Sequence, residues 1–147
     1  MKLYTFICCL GLQIFGSGCI DNSPTTTVFI VPNGFSGLFL VAEDRANGVS
    51  VQRKDGEYLF EVPESGKLVV KRLKPLIDWH REVAHYKDGR KLPTEGVYND
   101  NEIRLFTLPY VAGKGSFYFV GSRTDFKRVS GNAAFEKLPL GTNITAH

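Results

Sequence analysis

The chain has 147 residues, of which 43% are hydrophobic and 22% charged, so it can form one domain with a buried core. Its formal charge is +3, which falls to +2 if Lys2 is removed with an N-terminal signal. These charges are too few and too evenly scattered along the chain to indicate nucleic acid or an anionic membrane as the partner.

The N-terminus has the pattern of a secretory signal peptide over residues 1–18. Lys2 supplies a positive charge, residues 3–15 form an apolar run, and small residues follow at 16–18. The apolar run is shorter than the roughly 20 residues that a membrane-spanning helix needs. The alternative, a buried N-terminal helix or strand, does not explain why these three features occur in this order.

The three cysteines, Cys8, Cys9 and Cys19, all lie within the first 19 residues. Cleavage before Cys19 would leave an exported domain with a single thiol, which an oxidising compartment makes a liability unless it is modified. Small residues before Cys19 resemble the lipobox of bacterial lipoproteins, in which the cysteine carries the lipid (palmitate or a similar acyl chain). Gly16 stands where a branched aliphatic residue is usual, so cleavage by an ordinary signal peptidase remains the alternative.

Residues 19–26 are short, polar and proline-containing, which is typical of a tether between an anchor and a fold. From residue 27 onward, short β-branched and aromatic runs alternate with turn residues. These runs predict strands at 27–31, 38–42, 49–53, 57–62, 67–72, 79–86, 90–92, 102–108 and 116–120.

Two Asp-Gly pairs predict hairpins. Asp55-Gly56 joins the runs at 49–53 and 57–62, and both central residues of a type I′ turn need a positive φ. Asp88-Gly89 joins 79–86 to a short return strand at 90–92, although the charges of 79–86 would also permit a helical turn.

One short helix is expected at 122–129, with Ser122 or Thr124 as its N-cap and Phe126 facing the core. The tail at 131–147 is weakly patterned, and we expect it to be weakly ordered. The domain at 27–130 is therefore predicted to be all-β, a compact sandwich of roughly eight short strands with one short helix near the C-terminus.

The turn motifs, in order, are VPNGFSG (31–37), DGEY (55–58), VPESG (62–66), YKDGRKLP (86–93) and FVGS (119–122). Together they resemble an uncharacterised bacterial family of small secreted lipoproteins, known as a domain of unknown function, over residues 27–127. The resemblance implies a β-sandwich of the transthyretin or carboxypeptidase-regulatory type in the bacterial envelope. It implies no known activity and no catalytic residues.

The residues with most chemical capability are Asp78, His80, Glu82 and His85. On a strand Asp78, His80 and Glu82 share one face, where they could bind a metal or position a general base. On a helix Asp78, Glu82 and His85 would be neighbours instead. Neither spacing matches an established ligand motif, so the alternative is an exposed polar edge strand, and no metal or cofactor is predicted.

Trp79, flanked by charge, is the aromatic residue expected to be exposed, and with Tyr86 and Arg90 it forms the predicted binding surface. The sequence favours a non-enzymatic, exported protein held at the membrane through a lipid at Cys19. Its expected partner is an envelope protein or polymer, with no nucleic acid. The alternatives are a freely secreted or periplasmic domain, and an enzyme that uses the cluster of Asp78, His80 and Glu82.

Overall fold

The computed structural model describes residues 25–94, 96 and 99–142. The predicted signal peptide, Cys19 and the tether up to residue 24 lie outside the described residues. Within the described part, no helix is both long enough and apolar enough to cross a membrane.

The described residues form ten strands, two helices and one 3-10 turn. The strands are β1 (Thr25–Val31), β2 (Gly37–Glu43), β3 (Gln52–Lys54), β4 (Glu57–Glu61), β5 (Lys67–Val70), β6 (His80–Tyr86), β7 (Lys91–Leu92), β8 (Arg104–Thr107), β9 (Ser116–Gly121) and β10 (Gly141–Thr142). The helices are α1 (Lys74–Ile77) and α2 (Arg123–Ser130), and the 3-10 turn is Phe135–Lys137. The all-β prediction with one short helix near the C-terminus is confirmed.

The first sheet has the order β3-β4-β1-β6-β7. Its central strand β1 runs parallel to both β4 and β6, with Thr27 paired to Tyr58 on one side and to Glu82 on the other. Two predicted hairpins extend this sheet on either side. Asp55 and Gly56 both have positive φ, 50° and 87°, as the type I′ prediction requires.

The second sheet has the order β10-β2-β9-β8, and β5 also pairs with β2. Strand β2 is antiparallel to β9 on one side, while β10 and β5 share its other side, β10 antiparallel and β5 parallel. Residues 38–41 of β2 are all buried, because both faces of this sheet are covered. That explains why β2 is continuously apolar in sequence and not alternating.

An aromatic cluster fills the space between the sheets. The ring of Phe29 in β1 lies 4.5 Å from that of Tyr118 in β9, and Phe39 in β2 stacks on Tyr118 at 5.0 Å. Phe60 in β4 packs against Phe29 at 5.5 Å. Each of these side chains is almost fully buried, which stabilises the fold by about 1.5–3 kcal/mol per side chain.

A second apolar layer covers the outer face of the second sheet. Phe126 of α2 stacks on Phe106 at 4.3 Å, as its predicted core-facing position requires. The N-cap prediction is also confirmed at Ser122, whose side chain accepts a hydrogen bond from the Asp125 backbone N–H at 3.2 Å. Phe135 in the 3-10 turn packs edge-on against Phe117 at 5.4 Å.

The structure differs from the sequence expectations at both ends of the domain. Strand β1 begins at Thr25, so Thr25 and Thr26 pair with β6 and are not part of a tether ending at residue 26. After residue 131, Leu138 and Leu140 pack on the second apolar layer and β10 pairs with β2. The described part of the tail is therefore integrated into the fold, because its few apolar residues complete the cover of the second sheet.

The turn between β8 and β9 offers a test of this packing. Gly113 and Gly115 both have positive φ, but a Cβ at Gly115 would collide with the backbone oxygen of Val41, whereas a Cβ at Gly113 meets nothing within 4 Å. Gly113→Ala should lower the free energy of unfolding by about 1 kcal/mol through backbone strain alone. Gly115→Ala should lower it by about 3 kcal/mol or more, measured by urea denaturation. Equal losses in the two variants would contradict the close approach of this turn to β2.

Candidate functional site

His80 and Glu82 face the same way, because β6 is extended and side chains two apart share a face. His80 Nε2 lies 3.2 Å from Glu82 Oε1, and His80 Nδ1 lies 2.7 Å from the backbone oxygen of Asp78. Both neighbouring atoms accept hydrogen bonds, so both contacts are hydrogen bonds only when the ring carries two protons. The strand interpretation of this segment is confirmed from residue 80 onward.

Glu82 also links the two sheets. Its second carboxylate oxygen accepts a hydrogen bond of 2.6 Å from the hydroxyl of Thr107 in β8. The carboxylate also faces the phenol of Tyr118. Burial raises the pKa of Tyr118 far above its usual value of 10.0, and the negative charge of Glu82 raises that pKa further. The partners of Glu82 give this carboxylate a structural role at the join between the sheets.

The third member of the predicted cluster, Asp78, does not join the other two through its carboxylate. Asp78 is the C-cap of α1, and its Oδ2 accepts a hydrogen bond from Lys74 Nζ at 2.5 Å. His85 lies on the opposite face of β6 from His80, with its Nδ1 2.8 Å from the backbone oxygen of Tyr86. Among the described residues, no group of three or more His, Cys, Asp or Glu side chains is arranged to hold a metal ion.

The three residues of the predicted binding surface are not brought together. Trp79 precedes β6 and is 79% exposed, whereas Tyr86 ends the same strand and is only 8% exposed. Seven residue steps along a strand separate them by about 23 Å. The Tyr86 hydroxyl donates to the backbone oxygen of Phe35 at 3.2 Å, and the Arg90 guanidinium lies 4.7 Å from the centre of the Tyr86 ring. Tyr86 and Arg90 therefore pack against each other at the other end of β6, away from Trp79.

A cleft of about 360 Å³ opens at the end of the fold where β1 begins. Its walls include Thr25, Tyr58, Lys71, Arg72, Lys74 and Asp78. The lining therefore has three cations and one carboxylate. A further cation, Arg53, lies 5.4 Å from the centre of the Tyr58 ring on the cleft wall. This arrangement favours an anionic ligand or surface.

The segment after β5 turns these cations outward because its apolar residues are held in the core. Leu73 and Leu76 are buried, and the Leu73 backbone N–H donates to Glu43 Oε2 at 2.9 Å. Lys71, Arg72 and Lys74 consequently stay exposed. This cleft was not predicted from the sequence, although the run Lys-Arg-Leu-Lys at 71–74 is the signal that indicates it.

No protein-family model matches the chain, and no curated protein matches it significantly. Among solved structures, the chain is similar to the crystal structure of a "Putative Lipoprotein from Bacillus anthracis", at 12% identity and a TM-score of 0.37. The match covers 82% of this chain and 85% of that chain. A likeness this low carries no conclusion about the present chain. The resemblance of its turn motifs to an uncharacterised lipoprotein family therefore stays a prediction.

Because the pKa of Tyr118 is raised in the folded state, we expect the protein to lose stability at alkaline pH. The unfolded chain releases the phenol proton above pH 10.0 while the folded chain keeps it. The free energy of unfolding should therefore fall with rising pH, and Tyr118→Phe should reduce that slope by about 1.4 kcal/mol per pH unit.

The measurement is urea denaturation at a series of pH values on either side of 10.0. Tyr110→Phe, which replaces an exposed phenol, is the matched control with which the slope of Tyr118→Phe is compared. An unaltered slope in Tyr118→Phe would show that this phenol ionises in the folded protein.

Proposed function

We propose that the chain is an exported bacterial envelope protein, tethered to a membrane by a lipid at Cys19, whose β-domain is a non-enzymatic binding module. The observation that supports the proposal is the short stretch of sequence between Cys19 and the first strand. Strand β1 begins at Thr25, so only residues 20–24 separate Cys19 from the first sheet. Six Cα steps reach about 20 Å at most, which keeps the domain close to the anchor.

The cysteine distribution supports the same proposal. No cysteine follows Cys19, so an exported domain would have no internal disulfide to form and one thiol to protect. Acylation of Cys19 removes that thiol and supplies the anchor in one modification. The partner in this proposal is another envelope protein or an envelope polymer, bound by the loops at one end of the fold or by a sheet edge.

The alternative is an envelope enzyme, metal-dependent or hydrolytic, that uses Asp78, His80 and Glu82. The 3.2 Å contact between His80 and Glu82 is the observation that favours it, because a carboxylate can orient an imidazole as a general base. Against it, the carboxylate of Asp78 bonds Lys74, and Glu82 also bonds Thr107 on the second sheet. We therefore favour the binding module.

The anchor is tested by intact mass measurement of the protein recovered from membranes of its native host. The expected mass corresponds to a chain that begins at Cys19 and carries a diacylglycerol-sized adduct. Cys19→Ala should lose the adduct and leave the membrane fraction. An unmodified wild-type chain in the soluble fraction would overturn the lipid anchor and favour a freely secreted or periplasmic domain.

The enzyme alternative is tested by replacing both His80 and His85 with Ala. For a binding module, wild type and variant should contain equally little metal, and added divalent metal should not raise the thermal unfolding temperature of either. Metal content by elemental analysis and thermal unfolding are the two measurements. Stoichiometric metal in the wild type that the variant lacks would support the enzyme and contradict the binding module.

A further inference from the structure

We propose that the end of the fold at which β1 begins is a docking surface for an anionic lipid bilayer. In this arrangement Lys71, Arg72 and Lys74 contact lipid headgroups, and Ile77 and Trp79 enter the interfacial layer. The inference extends the proposed function and rests on it in one respect, because the lipid at Cys19 is what brings this end of the domain to the membrane. We call this set of five residues the anchor-end surface.

The apolar part of the anchor-end surface is unusually exposed. Ile77 is 66% exposed and Trp79 is 79% exposed, the two highest values among the exposed large hydrophobic residues of the described chain. They lie two positions apart: Ile77 is the last residue of α1, and Trp79 directly precedes β6. Exposed apolar side chains grouped in this way mark interaction surfaces, and Trp in particular favours the membrane–water interface.

The charged part of the surface adjoins Ile77. A second hollow of about 410 Å³ is lined by Ile77, Glu43 and Arg45. It shares Arg72, Lys74 and Asp78 with the cleft of about 360 Å³, which we call the basic cleft. Lys74 is paired with Asp78 and Arg45 with Glu43, so these four charges offset one another. Arg72 is close enough to help lower the pKa of Glu43, but no described carboxylate lies within 4.0 Å of the side-chain nitrogens of Lys71 or Arg72. These two exposed cations therefore give the surface a net positive charge, complementary to anionic headgroups.

The position of the anchor fixes which end of the domain faces the bilayer. Thr25, the first residue of β1, lines the basic cleft and pairs with His80, which directly follows Trp79. The other end of the strand pair, where Val31 pairs with Tyr86, lies about 20 Å away. A tether that enters at Thr25 therefore presents the anchor-end surface, and not the opposite end, to the membrane.

Because the lipid tethers the chain, a weak attraction between the anchor-end surface and the headgroups is sufficient for docking. Once a lipid holds the chain at the bilayer, docking of the domain becomes an intramolecular step at high effective concentration. Each Lys or Arg near an anionic membrane strengthens binding about fivefold. Docking would hold the cleft against the membrane and turn the opposite end of the sandwich, with Tyr86 and Arg90, towards its surroundings.

Trp79 is the only tryptophan in the chain, so its fluorescence reports on this surface alone. The protein recovered from host membranes is reconstituted in phosphatidylcholine vesicles with or without phosphatidylglycerol. With phosphatidylglycerol, Trp79 emission should shift to shorter wavelength and quenching by acrylamide should fall several-fold. High salt should reverse both changes, because it screens the headgroup attraction.

Matched variants separate the surface from overall charge. Lys71→Gln with Arg72→Gln should weaken docking on the order of 30-fold, which restores the acrylamide quenching of Trp79. Lys87→Gln with Lys91→Gln removes the same charge from exposed residues at the opposite end and should leave Trp79 protected. Equal effects of the two double variants would show that net charge alone acts, and would overturn the proposal.

The outcomes distinguish docking from anchoring, because the mass of Cys19 is measured on the same samples. If Cys19 carries lipid and Trp79 stays as accessible in phosphatidylglycerol vesicles as in phosphatidylcholine vesicles, the docking surface is overturned and the anchor stands. If Cys19 is unmodified and added phosphatidylglycerol vesicles still protect Trp79, the docking surface is supported and the anchor fails. Protection by soluble polyphosphate but not by vesicles would make the ligand a polymer and overturn membrane docking.

Discussion

The contact between Phe29 and Tyr118 joins the two sheets, and the rest of the structure depends on it. Phe29 lies on β1, the central strand of the first sheet, and Tyr118 lies on β9 beside β2 in the second. Both side chains are almost fully buried and are among the largest buried side chains of the core, so their separation would expose much apolar surface. Because this contact fixes one sheet against the other, it also fixes the loops at both ends of the sandwich.

Strand β6 shows how this packing assigns roles to polar residues. Alternation turns His80 and Glu82 to one face, and the nearby second sheet offers Thr107 and Tyr118 as neighbours. A partly buried carboxylate between two sheets is tolerated because its oxygens accept hydrogen bonds. The three residues predicted from the sequence as a candidate catalytic or metal site therefore have separate roles. Glu82, in contact with His80, links the two sheets, whereas Asp78 caps α1.

Only folding brings several cations together at one end of the domain. Along the sequence the charges are evenly scattered, and on that ground an anionic membrane was not expected as a partner. In the structure, burial of Leu73 and Leu76 turns Lys71, Arg72 and Lys74 outward at the end where β1 begins. A modest net charge can therefore still support a local interaction with an anionic surface, because attraction over a Debye length depends on nearby charges and not on the total.

The sequence by itself determined the features that depend on neighbouring residues. Alternating apolar residues indicated most strands, Asp55-Gly56 predicted its hairpin, and Ser122 predicted the start of α2, because turns and caps are decided by local backbone and side-chain chemistry. Only the tertiary structure decided the parallel pairing of β1 with β4 and β6 and the attachment of β10 to β2. These pairings join distant segments, and their register is set by burial of apolar faces across both sheets, which no local pattern encodes. The basic cleft and the separation of Trp79 from Tyr86 follow from that packing.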